Sequence, residues 1–320
     1  MAGILNDVSY SNIREILKDC IDGVQKSAAN IGVSGIASGF SDLDEQTDGF
    51  IKGKVYVVGG RPCMGKEEFM LSMINDIVFE SRLPVLMFST NNMGQDYVQR
   101  LLSIQCDIST STIRRGMLKP DEWVRLDKGI GFLIDAPLFI HDCLDLPLYE
   151  LREIACNCIR EKAAKIIFID CLQMIDFNKE EKNISERIAK IMHSLKKWAC
   201  QFEVPIVVGS MLSRGVEYRD GIEGKQPQFM DLANSSYIEE LADVVMMVHR
   251  PEYYHIYENE IGYNLRGVME VYVKKNNLNR LRKFYYRYDE DTGILTSAHV
   301  QKQKNFYIDN IVLDDEELPF

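Results

Sequence analysis

The chain has 320 residues, too long for a mini-domain and comfortable for one large α/β domain or two small ones. Hydrophobic residues make up 46% and charged residues 27%, ordinary globular usage that excludes disorder along the whole chain. Lys and Arg number 37 against 48 Asp and Glu, a net charge of −11, so a contact with nucleic acid needs a local basic patch rather than a general cationic coat.

The opening residues, MAGILNDVSY, lack the basic stretch and following apolar run of a signal peptide. Ile13, Ile16, Leu17, Cys20, Ile21 and Val24 then fall on one face at helical spacing. A lone helix with one apolar stripe must bury it, either on its own domain or on a neighbouring subunit. The glycine-bearing stretch from Gly32 to Gly39 reads as a linker. From there on strands and helices alternate. Val55–Val58, Val85–Ser89, Leu138–His141, Lys165–Asp170, Pro205–Ser210 and Asp243–His249 are apolar runs of strand length. Between them Glu67–Glu80, Gln95–Cys106, Asp121–Leu133, Leu148–Ala163 and Ser185–Phe202 carry helical patterns. Continuous apolar strands separated by helices predict an α/β fold, a mostly parallel twisted sheet covered on both faces. Val268–Lys275 and Lys283–Tyr288 alternate like a hairpin, so antiparallel strands are expected to finish the sheet. The end of the chain, from Asp309 to Phe320, is acidic and reads as a tail.

No apolar run approaches the roughly 20 residues that cross a bilayer, and no membrane partner is expected. The eight cysteines show no framework spacing and read as reduced thiols of a cytoplasmic protein. The nearest pair, Cys156 and Cys158, is Cys-x-Cys, which is neither a zinc nor a redox pair.

The first sheet strand runs into Gly60-Arg61-Pro62-Cys63-Met64-Gly65-Lys66-Glu67, a Gly-x-x-x-x-Gly-Lys loop before a helix. Its glycines let backbone N–H groups converge on phosphate oxygens, while the helix start and Lys66 add positive charge. The position of the motif at a strand–loop–helix junction favours nucleotide binding over a structural glycine turn. The motif ordinarily ends in Ser or Thr, whose hydroxyl holds Mg²⁺, and here it ends in Glu67. A carboxylate about 4 Å from a phosphate oxygen is repelled by about 4 kcal/mol at an effective dielectric of about 20. Three outcomes stay open: Glu67 binds Mg²⁺ itself, swings outward along the helix, or occupies the anion site and suppresses nucleotide binding. Lys165 to Asp170 is an apolar strand ending in an acid, the Walker B arrangement in which Asp170 anchors the hydration shell of the metal.

The order of motifs resembles the C-terminal RecA-like ATPase domain of DnaB-type replicative helicases. The resemblance runs from Ser34 to Tyr288 and rests on Gly39-Phe40-Ser41-Asp42-Leu43-Asp44, the phosphate loop, Ile169-Asp170-Cys171-Leu172-Gln173, Leu212-Ser213-Arg214-Gly215-Val216-Glu217, Ile238-Glu239 with Ala242-Asp243-Val244-Val245, and Arg250-Pro251-Glu252-Tyr253-Tyr254. It implies a RecA-like P-loop NTPase fold over 34–300, a linker-type helix and linker over 1–33, and an acidic tail over 301–320. It also implies ATP and Mg²⁺ as ligands and a hexameric ring in which the N-terminal helix packs on the adjacent subunit. The family's N-terminal collar domain has no counterpart in this sequence. Such a ring hydrolyses ATP between subunits and draws one DNA strand through its pore.

Several positions depart from that pattern. After Val85–Ser89 the family carries a water-activating Glu, and Asn91 stands there; losing a general base costs about 10²–10⁴ in rate. Met211 occupies the place of the phosphate-sensing Gln. In the late strand Lys274 matches the family's Lys, but Asn276 stands where the arginine finger belongs, a loss of about 10³–10⁵. Arg280 and Arg282 are close enough in sequence to supply a displaced finger. The family's DNA loop, Asp-Leu-Arg-Glu-Ser-Gly, is here Asp231-Leu232-Ala233-Asn234-Ser235-Ser236, without the phosphate-gripping Arg or the permissive glycine. These changes fall on metal, base, sensor, finger and DNA loop, while strands and packing signatures persist. The expectation is a helicase-like protein of DNA replication or a mobile-element system that binds nucleotide weakly, holds single-stranded DNA weakly, and acts as an interaction or regulatory subunit. The competing readings are an active ATP-dependent DNA helicase with relocated groups and a RecA- or KaiC-like ATPase that does not unwind.

The chain ends in Asp314-Asp315-Glu316-Glu317-Leu318-Pro319-Phe320, similar to the acidic tip of bacterial single-stranded-DNA-binding proteins. That tip places a terminal aromatic in a pocket and its carboxylates on a basic rim, so Leu318, Pro319 and Phe320 are expected to dock on proteins that read such tips. A solvated acidic tail is the plainer reading. Cys63, inside the phosphate loop, reads as a small filler, with acidification by the helix start as the alternative. His141, His193, His249, His255 and His299 have no metal-ligand spacing and read as packing residues. Arg114, Arg115 and Lys119 read as a solvated basic face.

Overall fold

The computed structural model describes residues 12–14, 17–18, 21, 33–143, 146–175, 183–232, 236–259, 262–277 and 281–297. The elements are α1 (Ser41–Thr47), β1 (Val55–Gly60), α2 (Lys66–Phe79), β2 (Val85–Ser89), α3 (Gly94–Cys106), α4 (Thr110–Arg115), α5 (Pro120–Ile134), β3 (Leu138–Asp142), α6 (Leu148–Lys162), β4 (Ile166–Ile169), α7 (Ile184–Phe202), β5 (Ile206–Met211), α8 (Gly221–Gly224), α9 (Ser236–Leu241), β6 (Val244–His249), β7 (Val268–Asn276), β8 (Lys283–Tyr288) and β9 (Leu295–Ser297).

One nine-stranded sheet runs in the order β3-β2-β4-β5-β1-β6-β7-β8-β9. The first six strands in that order are parallel, and β7, β8 and β9 add antiparallel pairings. β1 lies between β5 and β6, and all six of its residues are buried. That is why its sequence is a run of aliphatics rather than an alternation. β8 alternates buried Phe284 and Tyr286 with partly exposed neighbours, the period-two pattern of a strand with one wetter face.

Each face of the sheet has its own core. On one, Ile188, Ile191, Met192 and Leu195 of α7 pack with Val55, Val57, Val208 and Val245. On the other, Phe69, Met73, Ile74 and Ile77 of α2 pack with Tyr56, Val58, Met87 and Phe168. Each such side chain contributes about 1.5–3 kcal/mol by leaving water, and truncating Ile74 to Ala costs about 2–5 kcal/mol once the cavity is included. The chain leaves β1 toward β2 on one side, and leaves β5 toward β6 on the other. Connections therefore part at the carboxyl end of β1, the crevice where open α/β sheets bind ligands.

Two expectations need correction. The stretch up to Gly39 is not a free linker from residue 34 onward. Ile36 bridges Phe50, and the N–H of Ser38 donates to both oxygens of the buried Asp44 carboxylate at 2.9 and 3.0 Å. Gly35 is there for close approach, since a Cβ would sit 2.6 Å from the Phe50 carbonyl carbon. The first strand does not stop at Val58. It continues through Gly59 and Gly60, because β5 and β6 still supply partners there.

Candidate nucleotide site

The phosphate loop turns between β1 and α2 on two left-handed residues, Cys63 at φ 63° and Gly65 at φ 82°. At Gly65 the positive φ calls for glycine, and an added Cβ would also push aside the Cε of Met269 on β7. Pro62 and Cys63 are exposed at the tip, whereas Met64, Gly65 and Lys66 are buried. Arg61 braces the outer flank, donating through Nε to Glu217 at 3.0 Å and through Nη1 to the Leu212 carbonyl at 2.9 Å. On the other flank the buried Arg250 donates to the Cys63 carbonyl at 3.2 Å, pairs with Glu290, and lies 4.6 Å over the Tyr288 ring. Lys66 Nζ donates to the Asp170 backbone carbonyl at 3.1 Å. Gly209 makes room for this contact, since a Cβ there would stand 2.1 Å from the same oxygen.

Asp170, only 2% exposed, follows β4 and has both carboxylate oxygens occupied. Oδ1 accepts from the Thr90 N–H at 2.8 Å and from the Thr90 hydroxyl. Oδ2 accepts from the Tyr97 hydroxyl at 2.6 Å and the Asn91 N–H at 3.2 Å. Burial first, then the charges of Asp170 and Glu67, pushes the Tyr97 phenol well above its ordinary range, so it stays a donor. Glu67 turns away from the loop. Its Oε2 accepts from Arg100 Nη1 at 2.7 Å and Asn92 Nδ2 at 3.3 Å, while Arg100 also bonds Glu68 at 3.0 Å. Of the three arrangements open for Glu67, this is the outward swing, and a paired acid in the first turn of α2 also suits the helix dipole.

The structure thus gathers Lys66, Asp170, Asn91 and the loop into one bonded cluster. Asn91 contributes its backbone there, and its own position is exposed. Met211 ends β5 nearby, and its N–H donates to Gln173 Oε1 at 3.0 Å, while Gln173 Nε2 donates to Ser210 Oγ at 3.0 Å. Lys274 and Asn276 lie apart, on β7. Lys274 sits 4.8 Å over the Tyr272 ring, and burial, reinforced by the nearby Lys283, holds its ammonium below the usual lysine range. Asn276 registers with Val244, the far end of β6 from the loop, and donates to the Gln46 carbonyl at 2.7 Å. Arg282 is exposed. Of the DNA loop, Asp231 is buried and bonded to Arg219 at 2.6 Å and Ser236 opens α9. Ala233, Asn234, Ser235, Arg280, His299 and the tip Leu318, Pro319 and Phe320 lie outside the described residues.

Sequence reasoning missed Thr90, Asn92, Tyr97 and Arg100. Tyr97 and Arg100 are one helical turn apart on α3, a spacing that flags a shared face but not what the face meets. The donor set also differs from the one Mg²⁺ requires. The motif hydroxyl is absent, Glu67 is held elsewhere, the four acceptor positions of Asp170 are taken, and among the described residues no three of His, Cys, Asp and Glu converge.

The family model described as DnaB-like helicase C terminal domain matches residues 35–295. The replicative DNA helicase DnaB of Geobacillus stearothermophilus is 31% identical over 269 residues, which cover 83% of this chain and 58% of that protein. That of Treponema pallidum is 32% identical over 244 residues, with coverage of 76% and 54%, and that of Helicobacter pylori 31% over 306 residues, with 92% and 60%. The chain spans a little over half the length of these curated relatives. A solved DnaB-like replicative helicase, described with its interactions with primase, superposes with a TM-score of 0.77 at 24% identity, covering 91% of this chain and 68% of that one. A second solved structure, an ATPase domain, gives 0.81 at 23% identity, covering 90% and 99%. Both share the RecA-like fold.

Proposed function

The chain belongs to the DnaB-like helicase C-terminal domain family, and from that premise we propose that it binds a nucleoside triphosphate weakly and serves as an interaction or regulatory subunit in DNA replication or a mobile-element system, without ATP-driven translocation. The observation that carries this reading is the saturated carboxylate of Asp170, bonded by Thr90, Asn91 and Tyr97. A group that should steer a metal's water shell has no acceptor position left. Three further positions lack the chemistry the family uses: Asn91 takes up no proton, Met211 senses no phosphate, and Asn276 bonds its own protomer's Gln46 rather than a neighbour's nucleotide.

Binding itself retains support. Lys66 holds only a neutral carbonyl, which a phosphate displaces readily because it brings a full opposite charge to the ammonium. With Glu67 engaged by Arg100, its repulsion of the phosphate is largely cancelled. Ile13, Leu17 and Ile21 are exposed and one helical turn apart, which favours self-assembly through the N-terminal helix. Weak contact with single-stranded DNA through 231–236, and docking of the terminal Leu318-Pro319-Phe320 on a tip-reading protein, complete the reading.

The test is ATP binding and turnover with and without single-stranded DNA, beside Lys66→Ala. Binding lost in Lys66→Ala, with turnover at background whether DNA is present or not, is expected. DNA-stimulated turnover abolished by Lys66→Ala would instead make the protein a working helicase, and DNA-independent turnover a RecA-like ATPase.

A further inference from the structure

We propose that this site takes its nucleoside triphosphate without a divalent cation, with Tyr97 standing where the hydration shell of a metal would bond. The inference rests on the nucleotide-binding reading above and concerns the same loop.

A metal-bound water is a hydrogen-bond donor, so the carboxylate that anchors it must offer a free lone pair. Asp170 offers none, and the Tyr97 donor on its Oδ2 is not adventitious. Tyr97 is 1% exposed, and its hydroxyl both donates to Asp170 at 2.6 Å and accepts from Asn92 Nδ2 at 3.0 Å. The same Asn92 nitrogen reaches Glu67 at 3.3 Å. One chain of side chains, Glu67–Asn92–Tyr97–Asp170, therefore ties Glu67 to Asp170, and Arg100 closes it by pairing with both Glu67 and Glu68. Admitting a metal means breaking Tyr97 from Asp170, which leaves the buried hydroxyl's proton without its acceptor while Asn92 still donates to the oxygen, or pulling Glu67 from Arg100, which leaves the guanidinium with Glu68 alone. Neither acid lies free for a cation, so Lys66, at the start of α2, is the positive group left to meet the triphosphate.

The experiment measures the affinity of the full chain for a fluorescent ATP analogue in Mg²⁺ and in EDTA. For the wild type the dissociation constant is expected to change by less than about twofold. Tyr97→Phe keeps the ring and frees one Asp170 lone pair, so Mg²⁺ is expected to tighten its binding by about tenfold, the worth of one charge-assisted bond. Glu67→Thr, which restores the motif hydroxyl, is expected to gain Mg²⁺ dependence as well and carries the comparison if Tyr97→Phe melts below the assay temperature. Wild-type binding tightened about tenfold or more by Mg²⁺ overturns the inference and leaves the nucleotide-binding reading intact. Absence of binding in both conditions overturns both. Metal-independent binding by folded Tyr97→Phe removes Tyr97 from the assignment.

Discussion

Asp170, at the crest of β4, and Lys274, on β7, are both charged residues that the sequence resemblance singles out, and their surroundings are opposite. Asp170 is met by four donors from Thr90, Asn91 and Tyr97. Lys274 has an aromatic face beneath it, Lys283, Asp231 and Arg219 among its charged neighbours, and no ion pair within 4 Å among the described residues. A charge satisfied inside its own protomer is stable but has nothing left to offer a ligand. A desolvated charge without a partner raises the energy of the protomer and is stabilised by an anion from outside. The crest of the parallel half is therefore closed on itself, whereas at Lys274 burial and Lys283 outweigh the help of Asp231.

The sharpest break of that contrast is Lys66→Ala, which removes the one free-standing cation of the loop. It should weaken nucleotide binding by about a hundredfold, the upper end of what a charge-assisted contact contributes, measured by titration calorimetry. The next largest effect concerns His249, buried beside Tyr254 and Tyr272. Burial, then Lys283, pushes its pKa down from 6.5 to about 3. Its stabilising contribution is complete above pH 6.5 and is lost as the pH falls from there toward 3, because the unfolded chain takes up a proton that the folded one refuses. Over that window stability should fall by about 1.4 kcal/mol per pH unit from this group, and denaturant melts of His249→Phe should lack that slope. Gly209→Ala places a methyl against the Asp170 carbonyl and should cost about 1–3 kcal/mol by forcing β4 and β5 apart, read as a lowered melting temperature. Asn276→Ala removes the bond to Gln46 and should cost about 1 kcal/mol, read in denaturant melts. Smallest of all, Lys274→Met should leave stability within about 0.5 kcal/mol. A larger loss would show that Lys274 has a partner within its own chain.

Much of the architecture was legible because burial on both faces writes itself as uninterrupted aliphatics. Val85–Ser89 and Lys283–Tyr288 match their strands end to end, and the other runs are off by one or two residues at their ends. β9 was not legible, since three residues, Leu295–Ser297, carry no period. The Gly32–Gly39 stretch misled because composition cannot separate a glycine that frees the chain from one, like Gly35, that lets two backbones touch. In the site, the loop and Asp170 stood out as a motif, whereas nothing in the helical pattern of Gln95–Cys106 singled out Tyr97.

From residues alone came the alternation of strands and helices and the phosphate loop with its acid in place of a hydroxyl. All of these are local patterns, carried by a few neighbouring positions. Only the folded chain decided which charges meet: Tyr97 and Asp170 are 73 positions apart, and Arg100 and Glu67 are 33 apart. A hydrogen bond is set by a distance in space, and the packing of α3 on the crest of the sheet, rather than any spacing along the chain, brought these donors to these acids.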